Sequence, residues 1–251
     1  MKFLKKMLFY ISVPKCVFCG ERLEIRERVL CKDCMRQYFD NKSRNCPTCS
    51  KMLGECSCTN EYLDAHYVHK LIKVYRYQAG EDLPTNTLLY KLKRDYRNDV
   101  FDFLSDELSK SIAFSCTVDE NTVITNVPRR RSAKNQYGYD HAKVLAKAVA
   151  KKMSAEYCEL LVSKTKSAQK TTRSDEERKK NAVYATKSET ISLAGKKLIL
   201  IDDIVTTGAS LGACAEQLKH LGAKQIIGAA VAIAYKDKSG YYDKSDRFFG
   251  V

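Results

Sequence analysis

Residues 198–211 read LILIDDIVTTGASL, so two adjacent acids, Asp202 and Asp203, stand between an apolar run and the small turn Thr206-Thr207-Gly208-Ala209-Ser210. Ionised carboxylates only accept hydrogen bonds, which suits a ligand that offers hydroxyls. A glycine-bearing turn that opens a helix presents backbone N–H groups and the positive end of the helix dipole, which suits a phosphate. The Thr and Ser hydroxyls add donors. A sugar 5-phosphate satisfies both halves, with its ring hydroxyls on the acids and its phosphate on the turn. The segment is not a Walker P-loop, because no Lys follows the glycine in the required place. A receiver-type Mg²⁺ site also ends a strand in acids, but no Thr-Thr-Gly helix start follows it there.

A second chemistry lies in the front of the chain. Of 11 cysteines, eight fall between residues 16 and 58, as Cys16-x-x-Cys19, Cys31-x-x-Cys34, Cys46-x-x-Cys49 and Cys56-x-Cys58. Cysteines two apart bind one metal through a tight turn, and two such pairs complete a tetrahedral thiolate site suited to Zn²⁺. A disulfide framework would need an oxidising compartment, and a thioredoxin-like pair would not come fourfold. Sequential grouping closes the shortest loops: Cys16, Cys19, Cys31 and Cys34 in one ribbon, and Cys46, Cys49, Cys56 and Cys58 in the other. One or two Zn²⁺ ions are expected.

The elements that must position these residues follow from the periodicity. Strands are expected at 72–77, 122–127, 160–164, 197–201 and 225–233, and helices at 84–94, 100–113 and 141–153. Asp140 is placed to cap the last of these helices. A further helix follows the turn at Ser210 and stops at Gly222. Alternating strands and amphipathic helices imply an α/β fold, a parallel sheet with flanking helices. Ligands bind such sheets outside the carboxyl ends of the strands. Arg129, Arg130 and Arg131 fall on that edge, as do the two acids. The polar segment 164–178, which holds Gln169, Lys170 and Arg173, reads as a loop that closes over a ligand.

Composition sets the frame: 44% hydrophobic and 29% charged residues describe a folded chain, and the formal charge of +14 attracts polyanions. Two parts are expected, a small metal ribbon with a short N-terminal amphipathic segment over 1–63 and an α/β unit over 64–251. The apolar run after the first lysines is too short for a signal, and no stretch reaches membrane-spanning length. A cytoplasmic protein is expected.

The strand, paired acids and Thr-Thr-Gly turn resemble the signature of type I phosphoribosyltransferases, which bind phosphoribosyl pyrophosphate (PRPP). With the cysteine-rich front, the whole chain resembles the ComF family of competence-associated proteins, a double zinc ribbon joined to a phosphoribosyltransferase-like domain. The resemblance implies that Asp202 and Asp203, the catalytic candidates, hold the ribose hydroxyls. It places the 5-phosphate on Thr206, Thr207, Gly208, Ala209 and Ser210, and pyrophosphate with Mg²⁺ at Pro128-Arg129-Arg130. Gln169, Lys170 and Arg173 would belong to the flexible loop. Where the family has Arg-Gly-Phe-Asn-Gln, this chain has Tyr137-Gly138-Tyr139-Asp140-His141, without the arginine. The resemblance further implies single-stranded DNA and a competence helicase as partners and a role in DNA uptake during natural transformation. The alternative is a metabolic phosphoribosyltransferase acting on a nitrogen base.

Overall fold

The computed structural model describes residues 13–164, 175–188 and 190–235. The front of the chain turns over its cysteine pairs at two tight knuckles, closed by antiparallel bridges between Lys15 and Arg22 and between Asn45 and Met52. Gly20 completes the first knuckle with φ +78°, and Ser50 holds the equivalent place in the second with φ +60°. A side chain in that left-handed region costs energy that glycine avoids.

Two helices carry the front into the body. α1 (Lys32–Lys42) begins at Cys31 and has Cys34 in its first turn. α2 (Glu61–Ala65) begins at Asn60, whose side chain accepts a hydrogen bond from Leu63 N at 2.9 Å. Then come β1 (Val68–Tyr77), α3 (Pro84–Arg94), α4 (Asn98–Ser115), β2 (Thr122–Asn126), α5 (Arg131–Tyr137) and α6 (His141–Met153). The chain continues through β3 (Glu156–Tyr157), β4 (Leu161–Ser163), α7 (Asp175–Asn181), β5 (Tyr184–Thr186), β6 (Lys197–Val205), α8 (Ala209–His220) and β7 (Gln225–Ala234). Pro84 fits the first turn of α3, where its missing N–H has no partner to lose. Asp140 caps α6 as its position suggests, accepting from Lys143 N at 3.2 Å.

Five strands form one parallel sheet in the order β1-β7-β6-β2-β3. Alternate residues along each strand face opposite sides, and helices cover both. Ile199, Ile201, Ile227, Ala229 and Val231 pack beneath α4 and α6, in a core that also takes in Cys16 and Cys34. Leu198, Leu200, Ile226 and Ala230 share the other core with α8, with Leu63 of α2, and with Cys46 and Cys56. The two cysteine-rich units thus join opposite cores.

Salt bridges join the first unit to the body. Arg28 pairs with Asp102 and, at 2.6 Å, with Asp106 of α4, while Lys152 of α6 reaches the same two acids at 2.6 Å each. Fully buried Tyr38 of α1 donates to Glu107 at 3.2 Å, and Lys42 meets Glu107 at 2.6 Å.

Two sequence expectations change. The strand expected to end at Ile201 runs on to Val205, because β7 continues alongside and supplies ladder partners, Ala230 opposite Asp202 among them. Arg131 opens α5 directly after the Pro128-Arg129-Arg130 turn. The strand at residue 161 stays outside the main sheet and pairs antiparallel with β5. The N-terminal amphipathic segment and Gln169, Lys170 and Arg173 lie outside the described residues.

Candidate functional site

The carboxyl ends of β2 and β6 bring the arginine turn and the paired acids to one edge of the sheet. Asp203 is buried and Asp202 is partly exposed. Asp203 Oδ2 lies 2.9 Å from His141 Nε2 and 3.1 Å from Lys93 Nζ, in ion-pair range but without hydrogen-bond alignment. Burial would raise the Asp203 carboxyl, but the Lys93 charge and then His141 outweigh it and hold the group well below the usual carboxylate range. Burial and then the Asp203 charge push Asp202 well up. As pH falls, Asp202 therefore takes a proton before Asp203. Neither Lys93 nor His141 was singled out from the sequence, because contact with the acids depends on how α3 and α6 pack at the sheet edge.

The arginine turn is fixed from behind. Asp140 accepts the Arg129 backbone N–H at 3.0 Å and pairs with Lys134 at 3.0 Å, so the cap of α6 also sets the turn after β2. The Arg129 guanidinium lies 4.6 Å over the Tyr137 ring, and its Nη1 is buried without a hydrogen-bond partner. Burial lowers its pKa, against the pull of Asp203. A buried, unpaired guanidinium nitrogen is costly and marks a place where an acceptor can bind. The Tyr137-Gly138-Tyr139-Asp140-His141 element therefore shapes this site: Tyr137 stacks on Arg129, Asp140 anchors its backbone, and His141 meets Asp203.

After β6, Gly208 begins α8 with φ +82°. A Cβ there would lie 2.8 Å from Leu63 Cγ, so glycine is required both by backbone shape and by the approach of α2. Thr207 turns its hydroxyl inward to accept Ala209 N at 3.2 Å, while Thr206 and Ser210 are partly exposed. Asn60 Nδ2 donates to Thr207 O at 3.3 Å. Beside this turn is a cavity of about 450 Å³, lined among others by Cys58, Asn60, Tyr62, Thr206, Lys179 and Tyr235.

The eight cysteines gather in the two sequential groups, with the four sulfurs of each within 4.8 Å of one another. A tetrahedral Zn²⁺ thiolate site with bonds of about 2.3 Å needs sulfurs about 3.8 Å apart, so both groups fit a metal. Cys19 and Cys31 sulfurs are 3.6 Å apart, and Cys49 and Cys56 sulfurs 3.5 Å. Backbone N–H groups point at sulfur, from Thr48 to Cys46 and from Cys58 to Cys56, each at 3.4 Å. Although burial opposes it, such N–H groups lower Cys16 to about 7 and Cys46 to about 6. Burial and neighbouring sulfurs push Cys58 up to about 12 and raise Cys34. Four thiols this close cannot all ionise without a cation between them, which is the behaviour of a thiolate metal site. Lys73 of β1, fully buried, donates to Cys58 O at 2.8 Å and brings its charge to the second group. A lysine inside a strand gives no such signal in the sequence.

The phosphoribosyl transferase domain family matches residues 140–250. The chain is 26% identical over 230 residues to the competence protein ComFC of Streptococcus pneumoniae (strain ATCC BAA-255 / R6), covering 84% of this chain and 96% of that protein. The similarity to that competence protein thus runs along most of the chain. Solved structures similar to this chain include an allosteric regulatory enzyme of purine biosynthesis, with TM-score 0.36 and 16% identity over 57% of this chain and 30% of that one. Adenine phosphoribosyltransferase from Leishmania tarentolae matches with TM-score 0.34 and 10% identity over 59% and 75% of the two chains. Among the described residues, no helix is long and apolar enough to cross a membrane.

Proposed function

We propose that this ComF-like chain binds PRPP, or a related ribose 5-phosphate, with Mg²⁺ at the carboxyl edge of its sheet, and that it handles single-stranded DNA during uptake. The observation that carries the ligand reading is the pairing, at one edge, of the Asp202-Asp203 acids near the end of β6 with an Arg129 guanidinium that has an unsatisfied buried nitrogen. Asp202, the more exposed acid, accepts the ribose hydroxyls. Asp203, already held by Lys93 and His141, keeps the end of the strand in place. The α8 N-terminus, with Thr206 and Ser210, takes the 5-phosphate, and Arg129 and Arg130 take the pyrophosphate. Gln169, Lys170 and Arg173 are assigned to the closing loop by resemblance alone.

Zn²⁺ is the metal for both cysteine groups, and 1–63 and 64–251 are the two functional parts. The +14 formal charge supports DNA binding through phosphate contacts, and the similarity to a competence protein supports the setting; a helicase partner and a cytoplasmic location are assigned by family resemblance alone. If transfer occurs, positive charge develops on the ribose near Asp202 while negative charge develops on pyrophosphate near Arg129.

One observation favours a metabolic phosphoribosyltransferase instead: the cavity of about 450 Å³ beside the phosphate turn could hold a planar base between its tyrosines. The two readings separate in one assay series. Salt-sensitive single-strand binding, without pyrophosphate release from Mg-PRPP in the presence of any free base, supports the DNA reading. Release driven by one base, without strand binding, overturns it.

A further inference from the structure

The second cysteine group and the phosphate turn are built as one unit. Cys58, the last cysteine of that group, is two residues before Asn60. Lys73 holds the Cys58 carbonyl at 2.8 Å, and Ser57 O accepts Leu71 N at 3.1 Å, so the backbone leaving the group is tied to β1 at two points. Asn60 then uses both ends of its amide. Its Oδ1 caps α2 through Leu63 N, and its Nδ2 donates to Thr207 O inside the turn. The helix that it caps presses on the same element. Leu63 closes over Gly208, and Tyr62 lies so near Gly212 that a Cβ there would be 2.7 Å from its ring. Among the described residues the first cysteine group shows no such connection: its buried members pack in the opposite core, with α1 and α4.

We propose that Asn60 is a positioning residue through which the metal-loaded second cysteine group holds the Thr206–Ser210 turn in its phosphate-binding shape, so that the two sites favour each other's occupancy. The proposal rests on the ligand reading above. Four thiolates gathered on one ion fix the chain at Cys56 and Cys58, and hence the direction in which Asn60 leaves. Without that constraint the short segment 56–60 can swing, and the donor to Thr207 O is lost together with the approach of Leu63. Two coupled sites must influence each other equally at equilibrium, by roughly 5- to 150-fold where coupling is typical. The first cysteine group should lie outside this linkage.

The test uses the full chain loaded with zinc. Zinc affinity is titrated against a chromophoric zinc chelator at equilibrium, with and without saturating Mg-PRPP and with Mg²⁺ matched. The expected result is that one of the two ions binds at least about fivefold more tightly when Mg-PRPP is present, and the other is unchanged. In Asn60→Asp, which keeps the acceptor for Leu63 N and loses the donor to Thr207 O, both ions still bind, but the shift disappears and Mg-PRPP affinity falls. Asn60→Ser, which also keeps a cap acceptor, replaces it if the carboxylate disturbs folding. Calorimetric Mg-PRPP binding with both zinc affinities unmoved would overturn the coupling and leave the ligand reading intact. A shift that survives in the Asn60 variants would overturn the role of Asn60. Absence of Mg-PRPP binding to the wild type would remove the ligand reading, and the coupling with it.

Discussion

His141 Nε2 lies 2.9 Å from Asp203 Oδ2, with both side chains buried and Lys93 Nζ 3.1 Å away on the same oxygen. The second acid of the pair is thus an internal anchor, and the first is the one that solvent reaches. Removing one partner of a buried charge cluster costs about 3–5 kcal/mol, because the remaining charge is left uncompensated. Lys93→Met is expected to lower stability by about 3 kcal/mol by that mechanism, measured by urea unfolding. An unchanged midpoint would show that Lys93 does not hold Asp203.

Arg129 should trade stability for binding. Its buried Nη1 has no partner, so Arg129→Met removes a desolvation penalty while keeping much of the apolar packing on Tyr137. The variant is expected to melt no lower than the wild type and to lose at least tenfold in Mg-PRPP affinity, about 1.4 kcal/mol. Thermal unfolding and calorimetry on the same samples check both parts.

The second knuckle offers a stabilising change. Ser50 has φ +60° where the first knuckle has Gly20. Ser50→Gly should gain about 1 kcal/mol, the cost of placing a side chain in left-handed geometry, measured by denaturant unfolding of the zinc-loaded protein. The opposite change, Gly208→Ala, should be far more damaging, because the added Cβ meets Leu63 at 2.8 Å as well as an unfavourable φ.

Acid sensitivity should arise partly at the joint between α1 and α4. Burial would raise Glu107, but Lys110 and Lys42 outweigh it and hold it below its ordinary value of 4.5. A carboxyl depressed on folding stabilises above its unfolded pKa, and that stability is lost as pH falls through the folded value. Melting temperature should therefore drop below about pH 4.5. In Glu107→Gln the curve should start lower at neutral pH and fall less steeply in acid.

Much of this arrangement was legible in the sequence where local pattern decides it. The cysteine spacing led to the two groups that the structure assembles. Pro84 and Asp140 marked helix starts that the structure places at Pro84 and His141. The parallel sheet followed from alternating strands and helices. What could not be read were contacts made by tertiary packing. Lys93 and Lys73 look like solvent-facing lysines in the sequence, yet one meets a buried acid and the other is fully buried behind a cysteine group. Asn60 could be suspected as a helix cap, but its second bond, to Thr207, spans 147 residues. The end of β6 was placed too early because two acids read as the close of a strand, whereas β7 carries the ladder past them.

Calorimetric titration of the zinc-loaded chain with Mg-PRPP tests whether the Asp202-Asp203 edge of β6 binds a ribose 5-phosphate. Asp202→Asn is the informative variant, since it changes the partly exposed acid and leaves the Asp203 cluster in place. Saturable one-site binding to the wild type is expected, with at least tenfold weaker binding to Asp202→Asn. Equal affinities, or no heat with the wild type, would contradict it.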